Sequence, residues 1–502
     1  MGARRDNITG KERAEIAIQV LPRARRHGLV TELSQTHGIS RQTVYNIAAA
    51  GRALLENGME PGPHGPCPPQ KQVLVDRNRL ERSTLVLTES GVSQRDVKVC
   101  LEEMLDTHLS PAWVNARLSK LEAQAAVVNA SWQPSVGETF SGDEIYSNGS
   151  PNLLVVGNDS LYIYALTRQP SCDGDTWGCV LLDTPDCPLF SSDGGTGLAA
   201  GAKEAGQRVQ QLDWDHLLRP MWGQSQRLED QACAILEETE ERIGLFDQSH
   251  TEKRLEQHFN AWQKLDTEAQ EKVKKSDDFS EIAQRVDQQF ALIDLETGLL
   301  RDPIRGAACL QELGAELAQW TGRIYEKLSS NLIHWAKSLF AYQPLLQQAL
   351  NPLIERWGDP AVQALSRILQ IQADQKRHPF SVKQRADRQA LWEKCLDQAV
   401  ALLGIEQTGI AWQALSNVLG RSWRGSMLAE CINSLLRPVL SARKSTDQQC
   451  LELFRFLHNV RPFARGKRQN HSPAELVGIQ LPEDPFILLG LTAKCQSNYT
   501  GF

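Results

Sequence analysis

The chain has no uninterrupted run of about 18 apolar residues, so no segment reads as a membrane-spanning helix. Its first residues, MGARRDNITGKERAEI, lack the apolar core of a secretory signal. Its eleven cysteines form no Cys-x-x-Cys pair. Cys172, Cys179 and Cys187 come nearest to a cluster, yet their spacing suits no standard zinc module. These absences exclude a disulfide-stapled small domain and a zinc ribbon. They predict a soluble, cytoplasmic protein with free thiols and no membrane partner. A uniform basic coat is also missing, because 54 Lys and Arg face 61 Asp and Glu.

The 502 residues, 41% of them hydrophobic, suffice for roughly three or four domains with sizeable cores. Charge is unevenly spread. Residues 1–53 hold nine Lys and Arg against four Asp and Glu, and residues 437–468 hold eight against two. A mildly acidic chain with basic segments suits nucleic-acid contact made by those segments.

The first segment, 1–58, reads as a helix-turn-helix domain. Ile16, Ile18, Val20 and Leu21 recur at helical spacing over 10–26, interrupted near Pro22. Leu29, Val30 and Leu33 share an apolar face, Gly38 supplies a turn, and Ser40 is placed to cap a helix that turns Val44, Ile47 and Ala48 inward. Arg41, Gln42, Thr43 and Asn46 are left exposed on its first turns, and these residue types reach base edges and phosphates. A Pro/Gly linker follows over 59–70. A second helical unit over 71–130 repeats the logic. Gly91 is its turn, Ser93 and Ser110 are caps, and Pro111 stands at a first helical position. It reads either as a second DNA-reading unit or as a helical spacer packed on the next domain.

From residue 138 the period changes. ETFSGDEIYS, PNLLVVGN and SLYIYALTR are short strand-like runs separated by tight turns, which predicts an antiparallel meander. CDGDTWGCVLLDT reads as a helix and CPLFSSD as a fourth strand. From 203 to about 415 the chain reads as almost wholly helical, and residues 421–479 as helical with a basic arm. Three antiparallel strands, a helix and a fourth strand open an RNase H-like fold, in which strands one and four lie side by side. Asp143 on strand one and Asp193 at the end of strand four can then meet. Two divalent ions need several clustered carboxylate oxygens, so a third acid is required from a helix over the sheet. Glu326, Glu355, Glu406 and Glu430 are candidates. Glu430 lies among Met427, Leu428, Ile432 and Leu435, beside the apolar stripe of its helix, with Asn433 on the same face. Glu144 is expected on the opposite face of the strand from Asp143. Gly194 and Gly195 are expected to let the backbone turn sharply after Asp193. Arg437, Arg443 and Lys444, then Arg461, Arg465, Lys467 and Arg468 on the arm, offer phosphate contacts. His458 and Asn459 read as a cap pair at a helix end.

GDEIYSNGSPNLLVVGN, SSDGGTGLAAGAKEA, DWDH, SMLAECINSLLRPVL and FLHNVRPFARGKRQNHSPAELVGI together resemble a bacterial insertion-sequence transposase of the Asp-Asp-Glu, RNase H-like class. The resemblance covers roughly 138–216 and 420–480, with the N-terminal helix-turn-helix matching in architecture. It implies an α/β fold whose catalytic core, 131–204 and 416–482, is split by an all-helical insertion over 205–415 and followed by a tail, 483–502. It places a metal-binding triad on Asp143, Asp193 and Glu430, holding two magnesium or manganese ions. Asp213 and His216 match an Asp-x-x-His element, which implies a place for His216 near the scissile phosphate. Further expectations are double-stranded DNA as partner, at element ends and target, and a homo-oligomer working in a synaptic complex on the bacterial nucleoid. A catalytically silent DNA-binding regulator and a nuclease without strand transfer are the rival readings.

Overall fold

In a computed structural model, the structure describes residues 8–21, 28–59, 76–105, 107–135, 137–206, 208–246, 251–377, 380–421, 424–443 and 446–493. The chain divides into two compact units, residues 1–75 and 76–502. The linker expected over 59–70 lies outside the described residues save for its first position, and Pro22 and Lys444 lie outside them too.

Among its described residues the first unit has three helices, α1 (Gly10–Val20), α2 (Leu29–Thr36) and α3 (Arg41–Met59). Thr9 and Glu12 form a reciprocal capping box at the start of α1. Gly38 takes the left-handed conformation at φ +61°, and the Ser40 hydroxyl accepts from the Thr43 N–H at 3.1 Å. Ile16, Val20, Leu33, Val44, Ile47 and Ala48 form the core. Ile18 departs from expectation. It is 69% exposed, because the buried stripe of α1 runs through Ile16, Ala17 and Val20 and leaves position 18 on the outer face. Arg41, Gln42 and Asn46 are exposed. The Thr43 hydroxyl instead pairs with Ser40 at 2.9 Å and belongs to the cap.

The second unit opens with α4 (Arg77–Glu89), α5 (Gln94–Leu105) and α6 (Pro111–Ser131). The expected turn at Gly91 has φ +78°, and Ser110 caps α6. Next come β1 (Phe140–Ser147), β2 (Ser150–Gly157), β3 (Ile163–Arg168), α7 (Gly174–Leu182), β4 (Phe190–Ser192), α8 (Thr196–Glu204) and β5 (Gln210–Leu212). Together the strands make one mixed sheet in the order β3-β2-β1-β4-β5. β1 pairs antiparallel with β2 and parallel with β4, with Ser141 beside Ser191, so strands one and four are neighbours as expected. β5, which pairs parallel with β4, lies at the start of the stretch expected to be almost wholly helical, whose long helices begin only at Trp214. α8 accordingly does not lead out of the sheet layer. It packs on α7 so closely that a Cβ at Gly201 would lie 2.4 Å from the Trp177 Cβ.

Among the described residues, eight α-helices follow. α9 (Trp214–Gly244) and α10 (Glu252–Gln289) are the longest. The others are α11 (Pro303–Leu317), α12 (Arg323–Trp335), α13 (Gln343–Trp357), α14 (Asp359–Arg377), α15 (Val382–Leu403) and α16 (Ile405–Leu419). They bury their own core, including Leu217, Phe279, Leu310, Leu332, Phe340, Leu365 and Leu415. The chain then returns to the sheet with α17 (Met427–Ser441) and α18 (Gln448–Val460).

Side-chain alternation gives the sheet two apolar faces. Phe140, Leu153, Val155 and Phe190 meet Trp177, Leu181 and Leu198 of α7 and α8. Ile145, Leu154, Val156 and Ile163 meet Ile432, Leu436, Leu451 and Phe454 of α17 and α18. The result is a mostly helical α/β molecule around a small mixed sheet. α4 to α6 pack on the core, with Leu101, Val114 and Leu118 clustered with Leu453, Phe456 and Leu489. A Cβ at Gly91 would stand 2.9 Å from Pro438 of α17.

α18 also closes the outer edge of β3. The Asn459 side chain accepts from the Ile163 N–H at 2.9 Å and donates to its carbonyl at 3.2 Å. Gln448 does the same for Arg168 N–H and the Leu166 carbonyl, at 2.9 and 3.0 Å. His458 Nε2 reaches the Leu161 carbonyl at 2.9 Å. His458 and Asn459 are therefore not a cap pair. They satisfy an open strand edge, which otherwise invites pairing with another chain.

Candidate active site

β1 and the end of β4 converge at one end of the sheet, under the first turns of α17. Asp143 sits on the α17 face of β1. Its Oδ2 accepts from Asn433 Nδ2 at 2.8 Å, across 290 positions of sequence, and its Oδ1 accepts from the Glu144 N–H at 2.9 Å. Burial pushes its pKa up to about 6 against those two hydrogen bonds, and the neighbouring carboxylates of Asp193 and Glu430 push the same way. The three acids thus share one electrostatic field, although 237 positions separate Asp193 from Glu430.

Asp193 follows β4 directly, and its Oδ1 accepts from the Gly195 N–H at 2.9 Å. Gly194 turns the chain at φ +88°. A Cβ there would be strained by that angle and would lie 2.8 Å from the Trp335 ring at the end of α12. Gly195 has an ordinary φ of −55°, so its role is room. A Cβ would sit 3.2 Å from Asp193 Oδ1. Trp335 brings the helical body against the aspartate loop, and no local pattern in the sequence marks it out.

Glu430 is half-exposed on the first turn of α17, and its Oε1 lies 3.4 Å from His216 Nε2. Ala429, Ile432, Asn433, Leu436 and Val439 are the buried stripe of α17. Met427 and Leu435, expected to flank Glu430 on the apolar side, are 57% and 53% exposed. Glu430 therefore stands at the border of the stripe.

Asp213 is the N-cap of α9 and is 1% exposed. Its Oδ1 accepts from the Asp215 N–H at 2.7 Å, and its Oδ2 accepts from the Ser426 N–H and hydroxyl, both at 2.8 Å. Glu144 points to the other face of β1, yet Asp193 and Asp143 add to burial in raising its pKa to about 7. Glu144 lies midway along β1, but β4 ends at Ser192 beside this stretch, so Asp193 stands near enough to act on it from the end of the neighbouring strand.

The donor set around Asp143, Asp193 and Glu430 is all oxygen, which suits magnesium or manganese. Asn433 adds an orphaned acceptor beside it, since its Oδ1 is buried without a hydrogen-bond partner. Mutual carboxylate repulsion is the condition that a bound cation relieves. Among the described residues, no three His, Cys, Asp or Glu side chains are already spaced as ligands of one ion.

The basic residues expected on DNA are differently placed. Arg437 and Arg465 are exposed and make no ion pair with another described residue. Arg461 is exposed and pairs with Glu89 at 3.1 Å, and Lys467 Nζ approaches the Gly420 carbonyl at 3.5 Å. Arg468 departs from expectation. It donates to the carbonyls of Asp159 and Asn158 at 2.6 and 2.8 Å, because the arm folds back over the β2–β3 turn, whose carbonyls need donors. Arg443 is buried against Glu122 at 2.6 Å and is likewise withdrawn from phosphate.

No helix among the described residues is long and apolar enough to cross a membrane. No protein-family model matches the chain, and no curated protein matches its sequence.

Proposed function

We propose that the chain is a DNA transposase of the Asp-Asp-Glu class, with an RNase H-like core interrupted by the helical body. One observation carries this reading. Asp143 from β1, Asp193 from the end of β4 and Glu430 from α17 fall into one field at the end of a sheet whose strands one and four run side by side. The chemistry is phosphodiester hydrolysis at an element end, water oxygen joining phosphorus as the 3′-oxygen leaves with a proton. The freed 3′-hydroxyl then attacks a phosphodiester of target DNA. Asp143, Asp193 and Glu430 would hold two magnesium or manganese ions, which supply charge neutralisation at the phosphate and a more acidic attacking hydroxyl. Asn433 orients Asp143, the Gly195 N–H orients Asp193, and His216 stands beside Glu430. Arg41, Gln42 and Asn46 of α3 are suited to read the element end, with Arg437 and Arg465 on phosphates. The working form is a homo-oligomer on double-stranded DNA, in the cytoplasm.

Labelled end DNA incubated with the protein and magnesium tests the reading. Cleavage and joining are expected, and Asp193→Ala is expected to lower both at least about 1,000-fold. Undiminished cleavage by that variant removes the catalytic assignment. Cleavage without joining selects a nuclease. A DNA-binding regulator is selected if the wild-type protein binds ends and never cuts them.

A further inference from the structure

Asp213 stands where three segments that carry the proposed site meet. It directly follows β5, and its backbone N–H donates to the Ser192 carbonyl at 2.9 Å, one residue before Asp193. Its carboxylate caps α9 through the Asp215 N–H, and the first turn of α9 carries His216. The other carboxylate oxygen takes both donors of Ser426, the residue in front of α17, and the first turn of α17 carries Glu430. Backbone bonding reinforces the junction, since the Trp214 N–H donates to the Arg424 carbonyl at 3.2 Å. Arg424 is itself held to the helical body, stacked 3.9 Å over the Phe290 ring. Gly425 leaves room for the approach, as a Cβ there would stand 3.0 Å from Asp213 Oδ1.

A carboxylate that is 1% exposed is strongly penalised by desolvation unless its lone pairs are filled by well-placed donors. Three short hydrogen bonds fill them here, one from Asp215 and two from Ser426, which lies 213 positions from Asp213. Capping α9 alone needs one oxygen, and Ser or Thr caps a helix equally well at a surface. The second oxygen's engagement with Ser426 has a different effect. It fixes the start of α17 relative to the end of β4.

We infer that Asp213 is a positioning residue. By clasping Ser426 it sets the register of α17, and so places Glu430 against His216 and alongside Asp193. The inference rests on the catalytic reading above for its chemical consequence, and on the hydrogen bonds alone for its geometry.

Three variants of the full chain test it. Asp213→Asn keeps the shape but turns an N–H₂ toward one of its donors. Ser426→Ala removes only the hydroxyl bond. Gly425→Ala inserts a methyl against the carboxylate. Manganese binding to the protein without DNA, followed by electron paramagnetic resonance, is the first readout, with end cleavage as the second. Asp213→Asn is expected to weaken manganese binding and lower the cleavage rate by about 10- to 100-fold. Affinity for end DNA should stay within about twofold, because the N-terminal unit carries that contact. Gly425→Ala should fall between the parent and Asp213→Asn, and Ser426→Ala should show the smallest loss. High manganese should restore much of the cleavage, which it cannot do for a variant that is merely unfolded. If Asp213→Asn does not fold, Ser426→Ala and Gly425→Ala decide. Parental manganese affinity and cleavage in the folded variants overturn the clasp. A wild-type protein that neither binds manganese nor cuts DNA overturns the catalytic reading instead.

Discussion

At the scale of single residues, the aspartate loop concentrates several constraints in three positions. Asp193 carries the charge, Gly194 the left-handed turn, and Gly195 the clearance. Gly194→Ala is expected to cost about 1–3 kcal/mol of stability, measured by denaturant unfolding, and to reduce cleavage as the loop shifts. Combining it with Trp335→Leu should recover only the part due to contact with the indole, since the strained φ remains. The sequence already pointed to Asp143, Asp193 and Glu430. Two residue-scale features were out of reach. Alternation correctly sent Glu144 to the opposite face of β1, but the charges of Asp193 and Asp143 still reach a carboxylate on that face. The second oxygen of Asp213 is explained only by Ser426, and no local pattern connects positions 213 apart.

Among elements, α18 is the one most burdened with polar work. It covers β3 with an apolar face and supplies side chains that replace a sixth strand's backbone. Asn459→Ala strands the Ile163 N–H and should lower stability by about 1–3 kcal/mol. His458 provides a pH signature. Burial lowers its pKa from 6.5 to about 4, so between those values the unfolded chain takes up a proton that the folded chain refuses. Its contribution to stability is complete above about pH 6.5 and is lost as pH falls toward about 4. Because the ring keeps some exposure, the loss should reach about 2 kcal/mol, below the ceiling of the full shift. Thermal unfolding of His458→Gln should show a flatter pH dependence over that window, and an unchanged slope removes the assignment. β1 to β4 were legible because β-branched and aromatic runs alternate between turn residues. β5 was not, because Gln210, Gln211 and Leu212 have no strand signature and become a strand only by pairing with β4.

For the whole molecule, the two units have separate cores, so residues 76–502 should fold without residues 1–75. That shortened chain is expected to keep manganese binding and lose specific end binding, and band-shift titration checks the second outcome. In the full chain, Arg41→Ala should weaken end binding and lessen its salt dependence by about one released counterion for each phosphate left unneutralised. The helical character of the body was plain from composition. Its attachment was not, because Trp335 and Arg424 act through contacts that no periodicity encodes. The layout also has a consequence for synthesis. A ribosome that has reached residue 420 has made both aspartates and the whole helical body. It has not yet made Asn433, Glu430 or the helices that cover one face of the sheet. On the proposed reading, the nascent chain would carry a DNA-binding unit long before it could assemble a cutting site. On the same reading, a product cut short by a frameshift upstream of α17 would keep that unit and lack the site, and it is expected to compete with the full-length protein for the same DNA.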